Sequence, residues 1–146
     1  IADPTASGDL INKKQMERFA VPGLKKLTGW AKGKGVHSIL HICGNTSDRL
    51  DLFPATGAST IFFDQKVDMA KANEALAGKM SFGGNVAPVH VLLNQDVAGV
   101  EKACREVIET AGATPGFILV PGCDIPPTIP YENLRKFHDV ALEWKL

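Results

Sequence analysis

The chain has 146 residues, 45% of them hydrophobic and 22% charged, and its 16 basic and 16 acidic side chains balance to a formal net charge of zero. This is apolar material for one buried core, which excludes a disordered tail, and the charge balance argues against nucleic acid or an anionic membrane surface as the main partner. Apolar runs such as residues 117–120 are only a few residues long, against the ~20 that a membrane helix requires, so no membrane span is expected.

The predicted elements alternate along the chain. Residues 12–34 carry Met16, Phe19, Leu24, Leu27 and Trp30 at helical spacings, which predicts an amphipathic helix with a kink or break at Pro22. Residues 36–43 form a β-rich run after Gly35 and read as a strand. Residues 47–53 read as a short helix ending before Pro54, and residues 59–63 as a second strand. Asp68 is placed to cap a helix over residues 68–77. A short third strand, residues 80–82, runs into Gly83-Gly84-Asn85. Residues 96–111 show the stripe Val97, Val100, Ala103, Cys104, Val107 and Ile108, closed by Gly112. Residues 117–120 give the fourth strand. The last helix begins at Pro130, placed at a first helical position, and carries Leu134, Phe137, Val140, Ala141 and Trp144. Strand–helix alternation points to an α/β fold, a parallel sheet with helices packed on it, over residues 1–146 as one domain.

Parallel α/β folds gather their chemistry at the carboxyl ends of the strands. Here those ends are His41-Ile42-Cys43-Gly44, Phe63-Asp64, Gly83-Gly84-Asn85 and Pro121-Gly122-Cys123-Asp124. Residues two apart in a strand share a face, so Ile39, His41 and Cys43 point one way while Leu40 and Ile42 point to the helices. His41 and Cys43 therefore aim together from one strand end, and Cys123 follows another strand. Imidazole and thiolate suit zinc, and three protein ligands leave a position for substrate. The plainer alternative is a core histidine and small buried cysteines, with Cys123 packed under the proline-rich loop. Cys104, mid-helix on the apolar stripe, reads as core. His90 and His138 read as surface residues. Three cysteines, odd in number and far apart, do not form a disulfide framework, which favours a reducing, cytoplasmic setting.

Other strand-end residues have more than one reading. Asp64 orients a ligand or His41, or else caps a loop. Asn85 offers an amide while Gly83 and Gly84 let a ligand approach the backbone, or the three residues form a tight turn. Arg49 and Lys66 lie near the expected mouth, to meet an anionic group or to be solvated, and Asp3 and Ser7 line the same mouth.

The segments Asp3-Pro4-Thr5-Ala6-Ser7-Gly8-Asp9, His41-Ile42-Cys43-Gly44-Asn45, Phe82-Gly83-Gly84-Asn85-Val86-Ala87-Pro88 and Gly122-Cys123-Asp124-Ile125-Pro126-Pro127 resemble, in that order, the uroporphyrinogen decarboxylase superfamily. Within it the chain is most similar to the methylcobalamin:coenzyme M methyltransferases. The resemblance implies a (β/α)8 TIM barrel, of which this chain matches the carboxyl-terminal part from about the end of the fourth strand. It also implies zinc held by His41, Cys43 and Cys123, with Asp64 and Asn85 as catalytic residues and Gly84 and Asn85 beside the cofactor. The implied reaction moves a methyl group from methylcobalamin, free or on a corrinoid protein, to a small thiol such as coenzyme M. A metal-bound thiolate would be the nucleophile.

Two other readings remain open. The decarboxylases of the superfamily lack the His-x-Cys pair and carry histidine at the position of Cys123, so a carbon–carbon lyase fits less well. A whole barrel takes ~250 residues and eight strands, so a non-catalytic fragment or interaction module is the other alternative. Without an amino-terminal half, the chain is expected to be inactive alone and to self-associate through open sheet edges or its inner face.

Overall fold

Four strands alternate with helices, and their two faces differ sharply in burial. The strands are β1 (Ile39–Ile42), β2 (Thr60–Phe63), β3 (Ser81–Val86) and β4 (Phe117–Pro121), all parallel, in the spatial order β1-β2-β3-β4. The computed structural model describes residues 1–144; positions 145 and 146 of the expected domain lie outside the described residues. Leu40, Ile42, Ile61, Phe63, Phe82 and Val86 are all at most 2% exposed on the helix-covered face. At about 1.5–3 kcal/mol for each large apolar side chain, this face is the main source of stability. Phe53 packs edge-on against Phe63, and Phe117 sits between Phe82 and Trp144.

The other face carries Ile39 and His41, paired in register with Thr60 and Phe62, then Ser81 and Gly83, then Ile118 across from Gly83. Ile39 is 45% exposed and Ile118 is 41% exposed, so the face expected to line an interior is open. Residues 1–3 lie along the free edge of β1: Ala2 bridges His41 in parallel, and the His41 amide donates to the Ile1 carbonyl at 2.9 Å. The first residues of the chain thus continue the sheet by one step.

The helices are α1 (Val21–Gly33), α2 (Met69–Leu76), α3 (Val97–Ala111) and α4 (Tyr131–Glu143). Asp68 caps α2 by accepting from the Ala70 and Lys71 amides, and Asp96 caps α3 by accepting from Gly99. Ala111 ends α3 and Gly112 keeps right-handed angles, so no left-handed glycine stop operates there. Pro130 stands one position before α4 as its cap residue, not inside its first turn. No helix among the described residues is long and apolar enough to cross a membrane.

Several local expectations change. A short α-turn, Lys13–Gln15, and a π-helical stretch, Met16–Ala20, lead into α1 without a break, so Pro22, the second residue of α1, lies inside one continuous helical run and does not end it. The wider π register breaks the 3.6-residue phase. Met16 and Leu24 are buried, while Phe19, Leu27 and Trp30 face outward, at 66%, 55% and 70% exposure. Residues 47–53 yield only a 3-10 turn, Leu50–Leu52, followed by a second, Pro54–Thr56. The third strand runs on through Gly83-Gly84-Asn85 to Val86, so those residues are ladder and not a tight turn.

Candidate metal centre

His41 is the third residue of β1, Cys43 is the first residue beyond it, and Cys123 lies two residues beyond β4. The sheet brings these ends together although β1 and β4 are its outermost strands. His41 Nε2 is 3.2 Å from Cys43 Sγ, and Cys43 Sγ is 3.5 Å from Cys123 Sγ. All three donor atoms lie within 4.8 Å of one another, the one such His/Cys/Asp/Glu group among the described residues. Each residue is half-buried: supported by the fold yet within reach of solvent.

The histidine's tautomer follows from its other nitrogen. His41 Nδ1 is 3.0 Å from the Phe62 carbonyl oxygen, which can only accept, so Nδ1 carries the proton and Nε2 presents its lone pair toward Cys43. Burial first, then Cys123, and then the carboxylates of Asp64 and Asp124 push the Cys43 thiol up to about 11 from an ordinary value of 9.0. Two sulfurs side by side next to two carboxylates resist sharing negative charge, and a bound cation removes that resistance. Two thiols and one neutral imidazole suit zinc, and three protein donors are the number found in catalytic zinc sites. The residues present fit the ion that the sequence implies.

Asp64 is 7% exposed, and both of its carboxylate oxygens are committed to backbone. Oδ2 accepts from the Gly44 amide at 2.8 Å, and Oδ1 accepts from the Lys66 amide at 2.9 Å. It fixes the residue next to Cys43, while the orientation of His41 falls to the Phe62 carbonyl. Gly44 has φ +85°, and a Cβ there would collide with Ser7 Oγ and Asp9 Oδ2, so glycine is required where the chain turns past Cys43. Asn85 Nδ2 donates to the carbonyls of Asp64 and Val67, at 3.0 and 2.7 Å, and ties β3 to the loop after β2. Gly84 belongs to the helix-covered face. A Cβ there would stand 3.1 Å from Met69 Sδ, so the space its hydrogen leaves is taken by α2 and not by a ligand.

The two cations expected near the mouth have other work. Arg49 is 1% exposed and donates to the carbonyls of Ala6 and Ile11, at 3.1 and 2.9 Å, as well as to Asp48. It is neither solvated nor free for an anion. Lys66 pairs with Asp9 at 2.8 Å on the surface. Ser7 is buried and accepts from the Asp9 amide, Cys104 is fully buried, and His90 and His138 are exposed. No side-chain pattern announces the Phe62 carbonyl or the anchoring role of Arg49, because both act through backbone oxygens supplied by distant segments.

Known proteins share this arrangement of strands and helices. A methyltransferase from Methanosarcina mazei, of the TIM-barrel type, matches the fold with a TM-score of 0.86 at 28% identity, over 98% of this chain and 41% of that one. Methylcobamide:CoM methyltransferase MtbA from Methanosarcina acetivorans is 35% identical over 99% of this chain. A uroporphyrinogen decarboxylase from Geotalea uraniireducens is 27% identical over 86% of it. The chain spans 41% of the length of that MtbA and 36% of that of the decarboxylase. The uroporphyrinogen decarboxylase (URO-D) pattern matches residues 1–144, and the chain belongs to that family.

Proposed function

We propose that this chain supplies the metal-binding, thiol-activating part of a methyltransferase that passes a methyl group from a methylated corrinoid to a small thiol. The observation that carries the reading is the meeting of His41, Cys43 and Cys123 within 4.8 Å from opposite edges of the sheet. The resemblance to proteins named methylcobamide:CoM methyltransferases supports it.

In this reading, zinc held by the three donors would supply the positive charge that strips a proton from a substrate thiol and keeps it as a thiolate. His41 contributes a neutral Nε2 whose direction the Phe62 carbonyl sets. Cys43 and Cys123 contribute two sulfurs that keep the held substrate sulfur electron-rich. Asp64 and Asn85, expected as catalytic, serve here as positioning residues: Asp64 holds the Gly44 amide, and Asn85 holds the loop that carries Asp64. The corrinoid, free or on a carrier protein, is the methyl donor. The open face bearing Ile39 and Ile118 supports self-association of the chain by itself, which light scattering across a dilution series reads directly.

The test is demethylation of methylcobalamin, followed by its visible spectrum, with coenzyme M and other small thiols as acceptors. Activity in a protein that includes this chain should vanish with a strong chelator and return with zinc. Porphyrinogen decarboxylation that survives the chelator, with no thiol methylated, would overturn the reading in favour of a lyase.

A further inference from the structure

The contact between Cys43 and Cys123 has a chemistry of its own. Their sulfurs are 3.5 Å apart, against ~2.05 Å in a disulfide, so about 1.5 Å of approach joins them. Both residues lie just beyond their strands, outside the ladder, and both are half-buried and within reach of a small reagent. Cys104 differs on every count. It is 0% exposed in the middle of α3, and burial pushes its thiol up to about 12.

We infer that Cys43 and Cys123 are a modification site: in the absence of bound metal they close to an intramolecular disulfide by exchange with a low-molecular-weight disulfide. One cysteine sulfur, as its thiolate, attacks the reagent's S–S bond, which breaks and releases one small thiol. The second cysteine then attacks the protein sulfur of that mixed disulfide, forming the Cys43–Cys123 bond and releasing the second small thiol. Two electrons pass from the protein to the reagent, and the two cysteine protons end on the two released thiols. The oxidised pair has no thiolate to offer a cation, so the exchange switches the centre off reversibly. That consequence rests on the metal-binding reading, whereas the disulfide itself rests only on the contact between the sulfurs.

The experiment treats chelator-stripped 146-residue protein with oxidised glutathione and follows intact mass. The expected result is a loss of about 2 Da per chain with no retained glutathione, a monomer on a non-reducing gel, and restoration by dithiothreitol. Peptide mapping should place the link between Cys43 and Cys123. Cys43→Ser and Cys123→Ser should each retain one glutathione, about 305 Da, and form no internal link. Wild-type protein that stays unmodified, holds its glutathione, links through Cys104 or crosslinks between chains would overturn the proposal. Preloading with zinc should slow the exchange at least tenfold. If the link forms equally fast with zinc present, the disulfide stands and the metal-binding reading fails.

Discussion

The imidazole of His41 and the carbonyl of Phe62 sit 3.0 Å apart across the β1–β2 ladder, in residues that are register partners. The same pairing that builds the sheet therefore aims the His41 Nε2 lone pair along the sheet's open face toward Cys43. A backbone oxygen does what a second-sphere carboxylate does in many zinc sites, and it does so without adding charge.

Zinc binding should depend on three residues and be indifferent to a fourth. Cys43→Ser, Cys123→Ser and His41→Ala should each lower zinc affinity by more than the ~10–100-fold that losing an outer partner costs. Cys104→Ser should leave zinc affinity within about twofold, because its sulfur is buried in α3 away from the centre. Competition with a chromophoric chelator reads the affinities, and X-ray absorption should show sulfur and nitrogen scatterers in the wild type.

Arg49 should prove structural. Arg49→Met orphans the carbonyls of Ala6 and Ile11 and leaves Asp48 without its fork. A loss of about 3 kcal/mol or more in urea unfolding is expected, since each buried acceptor left unpaired costs about 1–3 kcal/mol. Arg49→Lys should recover only part, because an ammonium cannot span all three partners.

Two glycine substitutions should move stability in opposite directions. A Cβ at Gly83 would stand 2.7 Å from the Ile118 carbonyl oxygen and 2.9 Å from the Phe62 ring, so Gly83→Ala should cost about 1–3 kcal/mol. By displacing Phe62 it should also weaken zinc binding. Gly29 lies exposed in α1 with nothing within 4 Å of its Cβ position, and Gly29→Ala should add about 0.5–1 kcal/mol. Thermal melts of the two variants check both signs.

Cys104 should make stability fall at alkaline pH. Its thiol is pushed up to about 12 in the fold against an ordinary 9.0, so the folded chain keeps a proton that the unfolded chain loses. The contribution is present in full below pH 9.0 and drains away as pH rises toward 12. Cys104→Ala removes this dependence, so the stability difference between wild type and variant should narrow steadily above pH 9.0 in urea titrations.

Much of this architecture is legible in the residues themselves. The alternation of β-rich runs and helical stripes places all four strands, and the two-residue period of β1 correctly sends Leu40 and Ile42 to the helices and His41 and Cys43 to the other face. Asp68 announces its helix because a capping carboxylate acts within three residues. What escapes is nonlocal. Phe19, Leu27 and Trp30 have the spacing of a stripe buried on one side, yet all three face outward and only Met16 and Leu24 of that stripe are buried. Arg49 looks like a mouth residue until the Ala6 and Ile11 carbonyls, some forty positions away, come to meet it. Gly83-Gly84-Asn85 has turn composition, yet its pairing with Ile118, Leu119 and Val120 holds it extended.

Cys43 and Cys123 stand 80 positions apart in the chain, and the stretch between them contains β2, β3 and β4. A one-residue slip anywhere in the ladder shifts a strand by ~3.3 Å and turns its side chains over. Such a slip is nearly as large as the 3.5 Å between the two sulfurs. At the proposed centre, metal affinity would thus gauge strand alignment across the whole width of the sheet, registering errors in β2 and β3 that never touch the ion.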